Sequence, residues 1–508
     1  MLKKLIWKFL ARNSKPERWL RSWYHRVDGS KWMLRYKLGQ AHRSYDKWMR
    51  NQPVALSRLQ TPPTVRSVVF VIAAKAIDQL EKTVKSIRLQ AGVKTDLLIL
   101  DNHGTLANGL AEITADYVVF AEEGDIFSPD YARLMVDAAG DTGAVCVYCD
   151  AGVQASDAGG WFKPKTLTQF DLLSVNPMSR GLFRRQWVVE NLDGASSLSQ
   201  AEQLLAGKAI GRNDKVAHVP WVLINVEEVD ESEGKFTLEH DRPKVSIIIP
   251  SRDKALVLKK LLDSLFAMTE YPEYEVIIVD NQSSEAAAQN LYDEMKSRHP
   301  VTVVPFDQPF NYSAALNTGA RAATGEVLVF LNNDMEVIDP HWLDELVQWT
   351  SRPEVGIVGG KLLRENGTIQ HAGLVRGMQD FFGHLYLDAP DHYFGLAGSV
   401  DWYRTVTAVT GACQAVRRDK FEQLGGYDEG YRLIFSDVDL CLRASQRGWQ
   451  TLYTPHTRLR HLEGVSRGYD TPIADIELGF KRLKEWGIND DAHYSPNLTL
   501  TTIPRAKT

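Results

Sequence analysis

Cysteine is scarce in this chain: four residues in 508, at Cys146, Cys149, Cys413 and Cys441. So few thiols cannot frame a fold of this length with disulfides. Cys146 and Cys149 spell CxxC, but the motif overlaps a strand-like run from Ala144 to Tyr148. Residues three apart on a strand point to opposite faces, which argues against a shared metal. Reduced thiols in a cytoplasmic protein are the expectation. No run approaches the ~18–20 apolar residues that span a bilayer. The opening apolar stretch is interrupted by lysines and lacks a small-residue cleavage site, so a secretory signal is not expected.

Charge is unevenly spread. Residues 1–50 carry 14 Lys and Arg against three acids, Glu17, Asp28 and Asp46, while the net charge of the whole chain is −5. The head is strongly basic and the body acidic, which gives no footing for nucleic acid along the body. Five of the thirteen tryptophans also lie in the head: Trp7, Trp19, Trp23, Trp32 and Trp48. Leu2, Leu5, Ile6 and Phe9 share one helical face. Basic residues with interfacial aromatics suit a helix on an anionic membrane surface. A basic helix docked on the acidic body is the other reading.

Length predicts two to three domains. After Gln60-Thr61-Pro62-Pro63, short apolar runs alternate with helical patterns, the rhythm of an α/β sheet with crossover helices. The rhythm occurs twice. Ser67 to Ala74 leads through a helix to Leu97-Leu98-Ile99-Leu100-Asp101-Asn102, and Val245 to Pro250 leads to Val276-Ile277-Ile278-Val279-Asp280-Asn281. From the first strand's start to the Asp-Asn pair is 34 residues in one copy and 35 in the other. Each copy continues with a strand ending near acids, then Pro129 or Pro340 and a helix. This predicts an internal duplication joined near Glu231 to Lys235. The expected divisions are 1–62, a basic aromatic helical segment; 63–235 and 236–475, the two α/β domains; and 476–508, a helix and tail.

The second copy carries a coherent chemistry. Pro250-Ser251-Arg252-Asp253 turns the chain at the carboxyl edge of the sheet, where open α/β folds bind ligands. Asp280, ending the next strand, suits a base imide N–H or a ribose hydroxyl, although an Asp-Asn pair is also a turn former. The buried run Val327 to Leu331 stops on Asn332-Asn333-Asp334. One carboxylate with two diphosphate oxygens suffices to anchor Mg²⁺ or Mn²⁺. Asp437 and Asp439 open a helical pattern; two residues apart, they do not share a face. Asp437, nearer the loop, reads as general base and Asp439 as capping or positioning the helix. His461 is a candidate second metal ligand, with Arg467 near the diphosphate. A metal at a strand-end acid and a separate base are what sugar transfer from a nucleotide donor needs.

These residues match a family pattern. From Pro243 to about Gly468 the chain resembles the inverting family 2 glycosyltransferases of the GT-A fold, especially those that build bacterial polysaccharides such as O-antigen and rhamnan chains. The resemblance is carried by Ile248 to Lys254 (IIPSRDK), Val279 to Ser283 (VDNQS), Phe310 to Gly319 (FNYSAALNTG) and Phe330 to Val337 (FLNNDMEV). It continues through Gln370 to Gly373 (QHAG), Val409 to Arg418 (VTGACQAVRR), Ser436 to Arg443 (SDVDLCLR) and His461 to Gly468 (HLEGVSRG). It implies two tandem GT-A domains, Rossmann-like with a mixed, mostly parallel sheet. It implies further that Asp280 contacts the nucleobase, Asp334 and His461 hold the metal, and Asp437 is the base. Gly411, Ala412 and Asp439 would lie on the acceptor side. Pro250, Ser251, Arg252, Asp253, Asn317, Asn332, Asn333 and Arg467 would complete the donor side. Two departures stand out: Gly464 where Ser is usual, and Leu316 where many relatives carry Arg.

Residues 66–228 resemble the extra N-terminal GT-A-like domain of some larger relatives, with eroded chemistry. Glu123 and Asp125 remain after the strand, but Ser199-Gln200-Ala201-Glu202 stands where an acidic pair should open the late helix. The expected partners are a nucleotide-sugar donor (a dTDP- or UDP-sugar, dTDP-rhamnose among them), a lipid-linked or polysaccharide acceptor and a membrane surface reached by residues 1–50, with no nucleic acid. A homo-oligomer is left open. The expected location is cytoplasmic, peripheral to the inner membrane. Three alternatives stand beside this reading: both domains active, a non-catalytic glycan-binding scaffold, or a nucleotidyltransferase. The last would need a glycine-rich basic loop where Pro250 to Asp253 stands.

Overall fold

The computed structural model describes residues 31–59, 66–73, 77–100, 114–192, 194–195, 197–231, 235–462 and 472–508. The opening basic stretch up to residue 30, and Arg467, lie outside the described residues.

The carboxyl-terminal half is built on Val245–Ser251 (β1), Tyr274–Asp280 (β2), Val301–Pro305 (β3), Val327–Leu331 (β4), Met335–Val337 (β5), Val355–Leu363 (β6), Cys413–Arg417 (β7) and Gln450–His461 (β8). Their spatial order is β3-β2-β1-β4-β7-β6-β8-β5. Strands β1 to β4 are mutually parallel, β7 runs antiparallel to β4 and β6, and β5 runs antiparallel to β8. The central strands are buried along their whole length. Neither therefore shows polar alternation: β4 reads Val-Leu-Val-Phe-Leu, and β6 is apolar apart from its glycines and Lys361. Ala255–Met268 (α1), Ala286–Arg298 (α2), Tyr312–Ala322 (α3), Trp342–Thr350 (α4), Arg418–Leu424 (α5), Ser436–Gln446 (α6) and Ile473–Glu485 (α7) are its helices. In α1 the buried Leu258, Leu261, Leu262 and Leu265 form the stripe that seats it on the sheet.

The amino-terminal half repeats this topology apart from β3. Its order is Lys94–Leu100, Ser67–Ala73, Tyr117–Ala121, Leu182–Arg184, Cys146–Val153, Val216–Val226 and Ile126–Phe127, with the same parallel and antiparallel senses. The expected duplication is thus present as two α/β sheets. A counterpart of β3 is not found among the described residues.

Contacts divide the chain into two compact units. Of the described residues, one comprises 31–40, Thr237–Asp391 and Val406–Asp490; the other comprises Ala41–Phe236, His392–Thr405 and Asp491–Thr508. These limits differ from the linear divisions of the sequence. The helix Lys31–Leu56 does not stand apart, because Trp48 packs on Phe162 and Trp221 and the Gln52 amide bonds both the N–H and the C=O of Val222. Residues 392–405 and the tail join the amino-terminal sheet through Trp402 on Trp161 and through the Asn497 amide, which donates to Asp150 (3.2 Å) and to the Pro220 carbonyl (2.7 Å).

Candidate active site

The carboxyl edge of the second sheet gathers the candidate residues in three groups. The first lies at the ends of β1 and β2, brought level by the pairing of Ser251 with Asp280. Asp280 Oδ1 accepts the Ser283 N–H (3.2 Å) and the Tyr292 hydroxyl (3.0 Å). Burial pushes the Tyr292 hydroxyl up to about 12, so it remains a donor at neutral pH. Asp253, left-handed at φ 50°, accepts the N–H groups of Ser284 (2.7 Å) and Glu285 (2.9 Å). Those N–H groups hold its carboxyl below the ordinary range. Asp253 therefore clamps the turn after β2, while Arg252 reaches outward with its side chain 58% exposed. Pro250 is half-buried and Ser251 buried, its Oγ 3.3 Å from Asn333 Nδ2.

The second group is set by strand register. Met335 pairs with His461 across β5 and β8, and this brings His461 Nε2 to 3.2 Å from Asp334 Oδ1. Both side chains are nearly buried, and His461 Nδ1 has no hydrogen-bond partner among the described residues. One carboxylate and one imidazole fit a divalent cation of the Mg²⁺ or Mn²⁺ class that draws its remaining ligands from a diphosphate and water. Among the described residues no group of three or more His, Cys, Asp or Glu is arranged to hold a metal alone.

The third group surrounds Asp437 at the first turn of α6, where the helix dipole favours a carboxylate. Asp437 Oδ2 accepts the Gly411 N–H at 2.8 Å. A Cβ on Gly411 would meet Asp437 Cβ at 3.2 Å, so glycine permits this close approach. The Tyr312 hydroxyl joins the second and third groups, 2.9 Å from Asn332 Oδ1 and 3.1 Å from the Gly411 carbonyl, while the Asn332 N–H donates to the Ala412 carbonyl (3.1 Å).

Two sequence candidates are bonded to neighbouring segments of the protein. The Asn317 amide bonds the Tyr427 carbonyl, the Tyr427 N–H and Glu429, which fastens α3 to the loop before α6. Asp439, fully buried, pairs with Arg443 (2.6 Å), whose guanidinium grips the carbonyls of Leu424 and Gly426. Burial raises the Asp439 carboxyl and Arg443 opposes that rise.

Sequence reasoning missed Tyr312, Gln414 and His371 as site residues, although all three lie within the family motifs. Gln414 accepts the Tyr427 hydroxyl (2.6 Å) and donates to the carbonyls of Val409 and Asp437, tying β7 to α6. His371 Nδ1 lies 2.9 Å from His384 Nδ1, and its Nε2 accepts the Thr410 N–H at 3.4 Å. Burial, with His384 and His461 nearby, drives its pKa well down, so it is a neutral imidazole supporting the Thr410 to Ala412 loop. Their signal was faint, since a Tyr, Gln or His on an apolar element reads first as packing.

Residues 246–425 match the model of Glycosyl transferase family 2, and the chain carries a domain of that family. It is 46% identical over 262 residues to the O-antigen biosynthesis protein RfbC of Myxococcus xanthus, covering 51% of this chain and 20% of that protein. It is 29% identical over 234 residues to the N-acetylglucosaminyl-diphospho-decaprenol L-rhamnosyltransferase of Mycobacterium tuberculosis, covering 42% of this chain and 74% of that protein. The chain spans 20% and 29% of the length of the first two curated relatives it matches. A solved mannosyltransferase of Pyrobaculum calidifontis, in complex with GDP-Man and Mn²⁺, is 20% identical with a TM-score of 0.33, over 45% of this chain and 59% of that one. GalNAc-T7 with UDP, GalNAc and Mn²⁺ is 17% identical with a TM-score of 0.40, over 48% of each chain. These scores are too low to bear on substrate or metal.

Proposed function

We propose that this protein is a metal-dependent inverting glycosyltransferase that moves a sugar from a dTDP- or UDP-sugar, dTDP-rhamnose among them, to a growing lipid-linked cell-surface polysaccharide. The observation that carries the reading is the pairing of two acids in separate roles. Asp334 lies against His461, and Asp437 is held by the Gly411 N–H beyond the Tyr312 bridge.

Asp437 takes the proton of the acceptor hydroxyl, whose oxygen attacks the anomeric carbon from the face opposite the leaving diphosphate. The Gly411 N–H and the start of α6 hold the Asp437 carboxyl in place. Ser251, Asp280 and the turn clamped by Asp253 orient the nucleoside. Asp334 and His461 would hold the divalent cation, which supplies charge neutralisation for the departing diphosphate. Positioning and electrostatics account for most of the rate. The basic aromatic head would bring the enzyme to a membrane-borne acceptor at the cytoplasmic face; among the described residues no helix is long and apolar enough to cross a membrane. The amino-terminal unit is read as catalytically silent.

The test is transfer by purified protein from dTDP-, UDP- and GDP-sugars, with and without Mn²⁺. Asp437→Asn is expected to lower turnover by about 10²–10⁴-fold, the usual contribution of a positioned base, with little change in the unfolding midpoint. A non-catalytic glycan-binding scaffold would show no turnover with any donor, and its glycan binding would survive the substitution.

A further inference from the structure

The amino-terminal unit holds a cluster that the proposed chemistry does not use. After its strand Tyr117–Ala121 come Glu122, Glu123, Gly124 and Asp125, the loop that answers to Asn332 to Asp334. Two registers fix the equivalence. Counting on from the strand ends, Ala121 and Leu331, puts Gly124 in the place of Asp334. Counting back from the paired edge strands, Ile126 with Asn225 and Glu336 with Arg460, gives the same match. The same pairing puts Val226 in the place of His461. Both residues of the candidate metal pair are therefore missing from this unit.

The loop's remaining acids are not idle. Arg180, left-handed at φ 55° and with its side chain 6% exposed, sends its guanidinium among them. Its Nε bonds Asp125 (3.1 Å), one terminal nitrogen bonds Glu122 (2.7 Å), and the other bonds Asp230 (2.8 Å). Its backbone N–H donates to the buried Glu202 (2.6 Å), which lies in the helix preceding Val216–Val226, as α6 precedes β8. A planar guanidinium with five fixed donors matches several carboxylates at once, and it does not exchange with solvent.

We propose that Arg180 is the built-in cation of the amino-terminal unit: its guanidinium fills the charge locus that a divalent ion fills in the carboxyl-terminal unit, so this unit takes up neither a free metal nor a nucleoside diphosphate at that edge. The comparison with the second unit rests on the reading of Asp334 and His461 as a metal pair. The effect of Arg180 itself does not.

Full-length protein tests this, with Mn²⁺ as the probe, followed by electron paramagnetic resonance and by thermal unfolding. In Asp334→Asn, with Arg180 intact, no bound Mn²⁺ should remain and Mn²⁺ should not move the unfolding midpoint. Arg180→Ala on the same background should lower the midpoint by several degrees. Millimolar Mn²⁺ should restore part of the loss and bring back about one bound ion, now held by Glu122 and Asp125. A companion variant, Arg180→Met with Glu122→Gln, Asp125→Asn and Asp230→Asn, removes the cation together with the three carboxylates its guanidinium bonds. It should fold with a midpoint near that of the parent and ignore Mn²⁺, which keeps the proposal testable even where Arg180→Ala fails to fold. Mn²⁺ retained by Asp334→Asn, or an Arg180→Ala midpoint that neither falls nor responds to Mn²⁺, overturns the proposal. If wild-type protein binds no Mn²⁺, the metal reading of Asp334 fails, and the Arg180→Ala arm alone decides the role of the guanidinium.

Discussion

At the scale of single residues, Asp437 and Glu202 differ in burial. Asp437 stays half-buried at a helix start with N–H donors on both oxygens. Glu202 is buried, and that burial pushes its carboxyl up to about 8, with Arg180 opposing the rise. A carboxyl whose folded value is raised above its ordinary 4.5 holds its proton more tightly in the native state. The stability tied to that proton is complete below the ordinary value and is lost as pH rises through about 8. The amino-terminal unit should therefore unfold at a lower temperature at pH 8.5 than at pH 6, and Glu202→Gln should flatten that difference. Calorimetry at the two pH values checks this; an unchanged slope in the variant would assign the pH dependence to another group.

Among the elements, α7 has more to do with the site than its ordinary amphipathic sequence suggests. Its buried Asp475 accepts three successive backbone N–H groups, those of Arg432 (3.1 Å), Leu433 (2.7 Å) and Ile434 (2.9 Å). This segment runs straight into Phe435, left-handed at φ 73°, and then Asp437. A bulky residue in that conformation is strained and needs its surroundings to hold it. Phe381, stacked on the Phe435 ring at 4.5 Å, and the Asp475 clasp supply that support. Asp475→Asn exchanges one acceptor oxygen for an amide that faces donors. It is expected to destabilise by about 1–3 kcal/mol and to reduce kcat more than KM, because the base is displaced while the donor side is untouched. Steady-state kinetics with a thermal melt test it, and equal losses in kcat and KM would contradict a positioning role.

For the whole molecule, chain order and compact units disagree. The tail Asp491–Thr508 and the segment His392–Thr405 belong with the amino-terminal sheet, although both follow much of the carboxyl-terminal unit in sequence. The Asn497 amide to Asp150, the Thr166 N–H to the Ala492 carbonyl, and the Ala506 N–H to Ser44 Oγ show how the tail is tied in. Truncation after Asp490 should lower the unfolding midpoint of the amino-terminal unit and expose it to proteolysis, while any Mn²⁺ response of the carboxyl-terminal unit persists. Limited proteolysis with mass analysis of the fragments distinguishes this from a uniform loss.

Local pattern was enough to reveal the strands, the duplicated rhythm, the strand-end Asp334 and the helix-start Asp437, because hydrophobic period and turn chemistry act over a few residues. The family resemblance was legible on the same short motifs. Tertiary structure alone decided the rest, and in each case the cause is a contact between residues far apart in sequence. Strand pairing set Asp334 against His461. The fold bonded the Asn317 amide to the Tyr427 loop. It gave Asp475 the loop that delivers Asp437, and it put the Arg180 guanidinium among the acids of the amino-terminal unit. A sequence fixes which residue follows which, but the register between distant strands and the occupant of a buried charge site are settled only when the whole chain packs.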